Sequence, residues 1–197
     1  MNPLNSIKGA IAIGAIISIV IALAVEPGLN VPSIARWLHI LAGVMWIGLL
    51  YYFNVVQIPG LAAAAADAGG PGGAGVSKYI APRALLWFRW AAVATWLTGA
   101  WYLGPNFVNA FTLGLLLPEA NTYFMVIGIG AWLGTIMLFN VWVLIWPNQQ
   151  KVLGLKPATD PEKAKARDIA KYASRTNFIL SIPMLMCMGG AFHGLPF

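Results

Sequence analysis

The sequence predicts an all-α integral membrane protein: a bundle of about five transmembrane helices with one short interfacial or re-entrant segment. Three observations point there. The 197 residues are 59% hydrophobic and only 9% charged, with a mean hydropathy of +0.75, whereas a soluble domain carries about 25% charged residues to face water. The apolar residues are gathered in long runs between proline-, glycine- or charge-rich breaks, as in helices that satisfy every backbone polar group internally while crossing lipid. Aromatic residues make up 12% of the chain, nine of them tryptophan, which suits a protein with two water–lipid interfaces to anchor. This length makes one helical bundle, read as a single transmembrane domain over residues 1–197.

Gly9 to Val25 is a run of 17 apolar or small residues, spanning roughly 26 Å as a helix, enough for the hydrocarbon core. Lys8 before it and Ala22-Leu23-Ala24 near its end also fit a signal peptide; the reading adopted is a retained helix, ended by Glu26-Pro27-Gly28. The second helix is expected from Ser33, as N-cap, to Ile58, stopped by Pro59-Gly60. LAAAAADAGGPGGAG then reads as a flexible linker; it lacks the Lys-Ser/Thr and the preceding strand that a phosphate loop needs. A third helix is predicted over Pro82 to Leu103, with Arg89 about two turns inside. A charge at mid-helix costs about 2.5–3.5 kcal/mol on insertion scales, so Arg89 is expected to snorkel towards the Arg83 end rather than find a partner inside the bundle.

Pro105 to Pro118 is apolar but too short to span. The fourth helix is expected from Asn121 to Trp146, with Gly130-xxx-Gly134 offering a close helix–helix face. Asn148 to Arg175 is polar and basic, with a short amphipathic helix over Pro161 to Tyr172, and the fifth crossing covers Thr176 to Phe192. Seven of the twelve Lys/Arg lie between Lys151 and Arg175, so the net charge of +6 marks a cytoplasmic loop and not a nucleic-acid surface. That orientation puts the N-terminus in the cytoplasm of a bacterial inner membrane and the C-terminus in the periplasm. Cys187 is the only cysteine, which excludes a disulfide framework, a CxxC knuckle and a c-type haem attachment site.

The residues that carry chemistry are the two histidines. His39 lies near the outer end of the second helix, and His193 near the outer end of the fifth, so the topology brings both to a similar depth. Each has glycine one turn deeper on its face, Gly43 for His39 and Gly189 with Gly190 for His193, leaving room for a flat macrocycle. Arg36 shares the His39 face one turn nearer water, where a guanidinium pairs well with a propionate, and Trp46 lies seven residues deeper, as pocket wall or core filling. These features predict haem b with His39 and His193 as metal ligands. The plain structural alternative is that each histidine only hydrogen-bonds a neighbouring helix. A copper site is the weaker metal reading: two histidines fill half a tetrahedral shell, and Met184, Met186 and Met188 read as packing or lipid-facing residues. Asn54 and Asn140 are expected to bond between helices. No nucleophile–base pair, dinucleotide fingerprint or intramembrane acidic pair stands in the sequence.

ARWLHILAGVMWIGLLYYFNVVQIP (35–59) and RTNFILSIPMLMCMGGAFH (175–193) resemble the membrane domain of the bacterial membrane-bound urate oxidase (urate hydroxylase) family. The resemblance implies a redox membrane protein with His39 and His193 as the matching histidines. In that family a c-type cytochrome domain follows the membrane part, and none lies within these residues. The expectation is therefore an electron-transfer or accessory subunit of a larger membrane complex. It would work among other membrane subunits, between a donor such as quinol and an external c-type cytochrome. The alternatives are a cofactor-free structural subunit of a respiratory or photosynthetic complex, and a urate-type oxidase whose cytochrome is a separate chain.

Overall fold

The computed structural model describes residues 2–26 and 28–196; Pro27, part of the expected first break, and Phe197, near the expected exit of the last helix, lie outside the described residues. The chain divides into two compact units, Met1–Ile34 and Ala35–Phe197. Among the described residues all regular structure is helical.

In the first unit a short 3-10 turn (Pro3–Asn5) leads into α1, Ile7–Val25. The Ser6 hydroxyl accepts from the Gly9 N–H at 3.0 Å, capping an orphan donor of the first turn. No residue of α1 is buried. The second helix, α2, runs Val31–Ala66, and its cap differs from the expected Ser33: the Ser33 N–H donates to the Asn30 side chain at 3.0 Å, so Asn30 occupies the capping position.

The remaining helices are α3 (Ala81–Leu103), α4 (Phe107–Phe111), α5 (Thr122–Val152) and α6 (Asp160–His193). Four helices among the described residues are long and apolar enough to cross a membrane: α1, α2, α5 and α6. The remaining expected crossing, α3, has 23 residues and so a length of roughly 34 Å, but it is less apolar, carrying Arg83 and Arg89. The Pro105–Pro118 segment forms a 3-10 turn, the five-residue α4 and a run of turns, too short to span, as its length required.

Three further helix boundaries differ from expectation, two of them for one reason. Pro59 does not stop α2, and Pro147 does not stop α5. Both helices continue because the turn before each proline widens into a π-helical segment, Tyr52–Gln57 and Asn140–Ile145. A third such segment, Val76–Ile80, precedes Pro82 at the start of α3. Each ends two residues before its proline. A proline ring clashes with the carbonyl four residues back, and a turn closed at i→i+5 moves that carbonyl aside. In consequence the first half of the expected linker, as far as Ala66, is helical. The third difference is at α6, where the amphipathic stretch and the last crossing are one 34-residue helix. It starts from a capping box in which the Thr159 N–H and hydroxyl both donate to Glu162, at 2.7 and 2.9 Å.

In the second unit α5 and α6 pack closely. A Cβ at Gly130 would stand 3.0 Å from Cys187 Cβ and 3.2 Å from Met188 Cε, so the absence of a side chain there sets the approach. The main core joins Trp46, Leu50 and Phe53 of α2, Leu85 and Phe88 of α3, Met137 and Val141 of α5 and Met184 of α6. A smaller cluster gathers Leu103, Ala110 and Ile127 with Phe107 and Phe111 around them. Asn54 and Asn140 bond between helices as expected. Asn54 donates to Ser174 at 2.9 Å, and Asn140 donates to the fully buried Asn177, which itself donates to the Met137 carbonyl. The Arg89 guanidinium lies 3.7 Å from the centre of the Trp146 ring, a cation–π partner near the end of α5 that leads into the basic loop.

Candidate functional site

A cavity of about 820 Å³ lies within the second unit, bordered by residues of both apolar clusters. Arg36, His39, Ile40 and Trp46 of α2 line it together with Thr95, Trp96 and Gly99 of α3. Phe107 and Phe111 of α4, Ile127 and Gly134 of α5, and Met184, Met188, Gly189 and His193 of α6 complete much of the wall. Five of the seven residues singled out from sequence are therefore brought to one cavity: Arg36, His39, Trp46, Gly189 and His193. Gly43 and Gly190 are not on its wall. A Cβ at Gly43 would meet Thr95 Cγ2 at 3.7 Å, and one at Gly190 would stand 2.7 Å from Leu195 Cδ2.

His39 is partly buried, and its Nδ1 lies 2.8 Å from the Thr95 carbonyl oxygen. A carbonyl only accepts, so Nδ1 carries the proton. In the neutral ring this leaves Nε2 with its lone pair, and no hydrogen bond occupies that nitrogen among the described residues. An imidazole held through one nitrogen by a backbone carbonyl, with the other free, is the arrangement metal-ligating histidines adopt. One turn along α3 from Thr95, a Cβ at Gly99 would stand 2.9 Å from His39 Cε1 and 3.0 Å from Nδ1, so only glycine lets the ring lie against α3. His193, the last residue of α6, is exposed. Arg36 is exposed and makes no ion pair among the described residues. Gly134 and Gly189 would meet nothing within 4 Å of an added Cβ, so both leave open space.

Trp46 is both wall and core, 2% exposed, and its indole N–H has no hydrogen-bond partner among the described residues. A buried donor without an acceptor is costly. Thr95, Trp96, Gly99, Phe107 and Phe111 were not apparent as site residues in the sequence. Spacing along one helix says nothing about which residue of another helix meets it. Of the methionines read from sequence as packing or lipid-facing, Met184 is a core residue that also borders the cavity, Met188 borders it, and Met186 is 39% exposed.

Among the described residues no three His, Cys, Asp or Glu side chains gather as a metal cage. A haem brings four nitrogen ligands of its own and asks the protein only for axial donors. The donor set, the free Nε2, the glycine-made spaces and a volume within the usual 300–1,000 Å³ or so of ligand sites fit that group. His39 and His193 would be the residues to hold it, and Arg36 would meet its carboxylates.

The described chain is thus an all-helical protein with helices long and apolar enough to cross a membrane, enclosing a cavity that two histidines share. Residues 111–197 match the family model described as urate oxidase N-terminal, a match consistent with a urate oxidase N-terminal-like domain over that part of the chain. The match includes Gly189, Gly190 and His193 and the segment 175–193 that carried the resemblance; His39 and the segment 35–59 lie outside it. No curated protein and no solved structure matches the chain.

Proposed function

We propose that the chain is a haem-binding membrane redox protein, an electron-transfer or accessory subunit that passes electrons towards a periplasmic c-type cytochrome. The observation that carries this reading is the His39–Thr95 bond, which leaves an imidazole nitrogen free in a cavity that also holds the second histidine. When bound, the haem supplies a one-electron couple at its iron, tuned by its ligands and their partners. His39 would hold the haem iron through Nε2, with the Thr95 carbonyl fixing the tautomer and orientation of its ring. His193 would be the second iron ligand, from α6, and Arg36 would pair with a propionate. Trp46, Trp96, Phe107 and Phe111 keep water out. A quinol reaches the cavity beside the Pro105–Pro118 flap. The N-terminus lies in the cytoplasm of a bacterial inner membrane and the C-terminus in the periplasm, with the bilayer and other membrane subunits around the apolar faces.

The test is the visible spectrum of the detergent-purified chain together with its metal content. A b-type spectrum supports the reading; bound copper without haem would favour His39, His193 and the Met184 and Met188 thioethers instead. A second reading, favoured by the match of residues 111–197, is a urate-type oxidase with its cytochrome on a separate chain. Urate-dependent reduction of added cytochrome c would support it, and its absence in a haem-loaded preparation would exclude it. A folded chain without haem or metal would be a structural subunit.

A further inference from the structure

At the other end of α6 from His193, a cleft of about 330 Å³ opens between the end of α5 and the start of α6. The turn joining the helices reverses within a few residues. Gly154 takes φ +73°, and the N–H groups of Leu155 and Lys156 both donate to the Gln150 carbonyl. That reversal sets Asn148 and Lys151 of α5 opposite Glu162, Lys165, Ala166 and Ile169 of α6, spacings that keep each set on one helix face.

The ammonium groups of Lys151 and Lys165 make no ion pair or hydrogen bond among the described residues, although Lys151 shares the cleft with Glu162. Their neighbours Lys163 and Lys171 are held by Asp160 and Asp168, at 3.7 and 2.8 Å. The one carboxylate of the cleft, Glu162, already accepts from the Thr159 N–H and hydroxyl. The floor is apolar, with Ala166 2% exposed. Trp146, against which Arg89 stacks, precedes Lys151 by five residues, about 7.5 Å along the axis. That is the order of an aromatic belt at the interface with cations just beyond it.

We propose that this cleft binds the phosphate of an anionic phospholipid, with Lys151 and Lys165 on its oxygens and the Ala166–Ile169 floor against the glycerol and first acyl carbons. Two ammonium groups against one carboxylate leave the recess net positive, which selects a net negative headgroup over a zwitterionic one. The proposal rests on the membrane-spanning part of the reading above and not on haem.

The full chain in neutral detergent is titrated with phosphatidylglycerol or with phosphatidylcholine of the same acyl chains, and retained lipid is read by native mass spectrometry. Phosphatidylglycerol is retained in preference. Lys151→Gln with Lys165→Gln lowers that preference roughly 25-fold, about fivefold for each cation, whereas Lys171→Gln, whose ammonium is already paired, leaves it unchanged. Equal retention of the two lipids by the unaltered chain, or an unchanged preference in the double variant, overturns the proposal. Displacement of the lipid by millimolar inorganic phosphate also overturns it, since the cleft would then be a free-phosphate site. Failure of the membrane reading is visible separately, as release of the chain from native membranes by alkaline carbonate.

Discussion

His39 shows how much of a site one backbone atom can decide. The Thr95 carbonyl fixes the tautomer, and Gly99 leaves the space in which the ring lies. Gly99→Ala places a methyl carbon 2.9 Å from His39 Cε1 and 3.0 Å from Nδ1, closer than van der Waals contact, so the ring must shift off the Thr95 carbonyl. Supporting groups of this kind are worth roughly 10- to 100-fold in affinity. The account expects haem affinity to fall at least about tenfold, with altered electron paramagnetic resonance of the residual ferric haem; an unchanged spectrum and affinity would remove Gly99 from the site. Asn177 is the corresponding residue in the core, fully buried and bonded to Asn140 and the Met137 carbonyl. Asn177→Ala orphans the Asn140 donor and should destabilise the fold by about 1 kcal/mol or somewhat more. Replacing both asparagines by leucine should cost less than the single change, a comparison that thermal denaturation in detergent makes directly. His39, His193, Arg36 and Trp46 stood out from sequence because polar, charged and aromatic side chains are conspicuous in apolar runs. Thr95 and Gly99 did not, because their roles are a carbonyl and an absence, and neither has a sequence signal.

The helices themselves were legible to within a few residues wherever composition changes sharply, as at Val25, Leu103 and Asn121. They run past their expected ends at Pro59 and beyond Trp146. A water-soluble helix loses a hydrogen bond and suffers a clash at an interior proline, but the π-helical turns before Pro59 and Pro147 absorb the clash and let α2 and α5 run on. Pro59→Ala removes the reason for the wider turn. Tightening it would rotate the residues on one side by about one position, roughly 100° about the axis, and separate Asn54 from Ser174. A disulfide between Asn54→Cys and Ser174→Cys should therefore form readily with Pro59 in place and poorly with alanine there, as gel mobility would report. Equal cross-linking in both backgrounds would mean that the π-turn has another cause. α6 was divided in two for the opposite reason: its charged first half and apolar second half change composition without changing conformation.

Over the whole of the second unit, both apolar clusters border the cavity, and the two histidines reach it from α2 and α6. The family match covers the α6 side of this arrangement and not the α2 side, so the presence of His39 and His193 on one cavity wall comes from the fold rather than from either segment. Sequence alone could align their depths but could not show a shared cavity, which depends on where α3 and α4 place Thr95, Gly99, Phe107 and Phe111. The most direct measurement is the reduced-minus-oxidised spectrum, with a pyridine haemochrome assay, of the purified chain and of His39→Ala and His193→Ala. The account predicts a b-type spectrum at about one haem per chain, lost in each variant while the helical content is kept. A folded, haem-free chain, or a full spectrum in both variants, would contradict it.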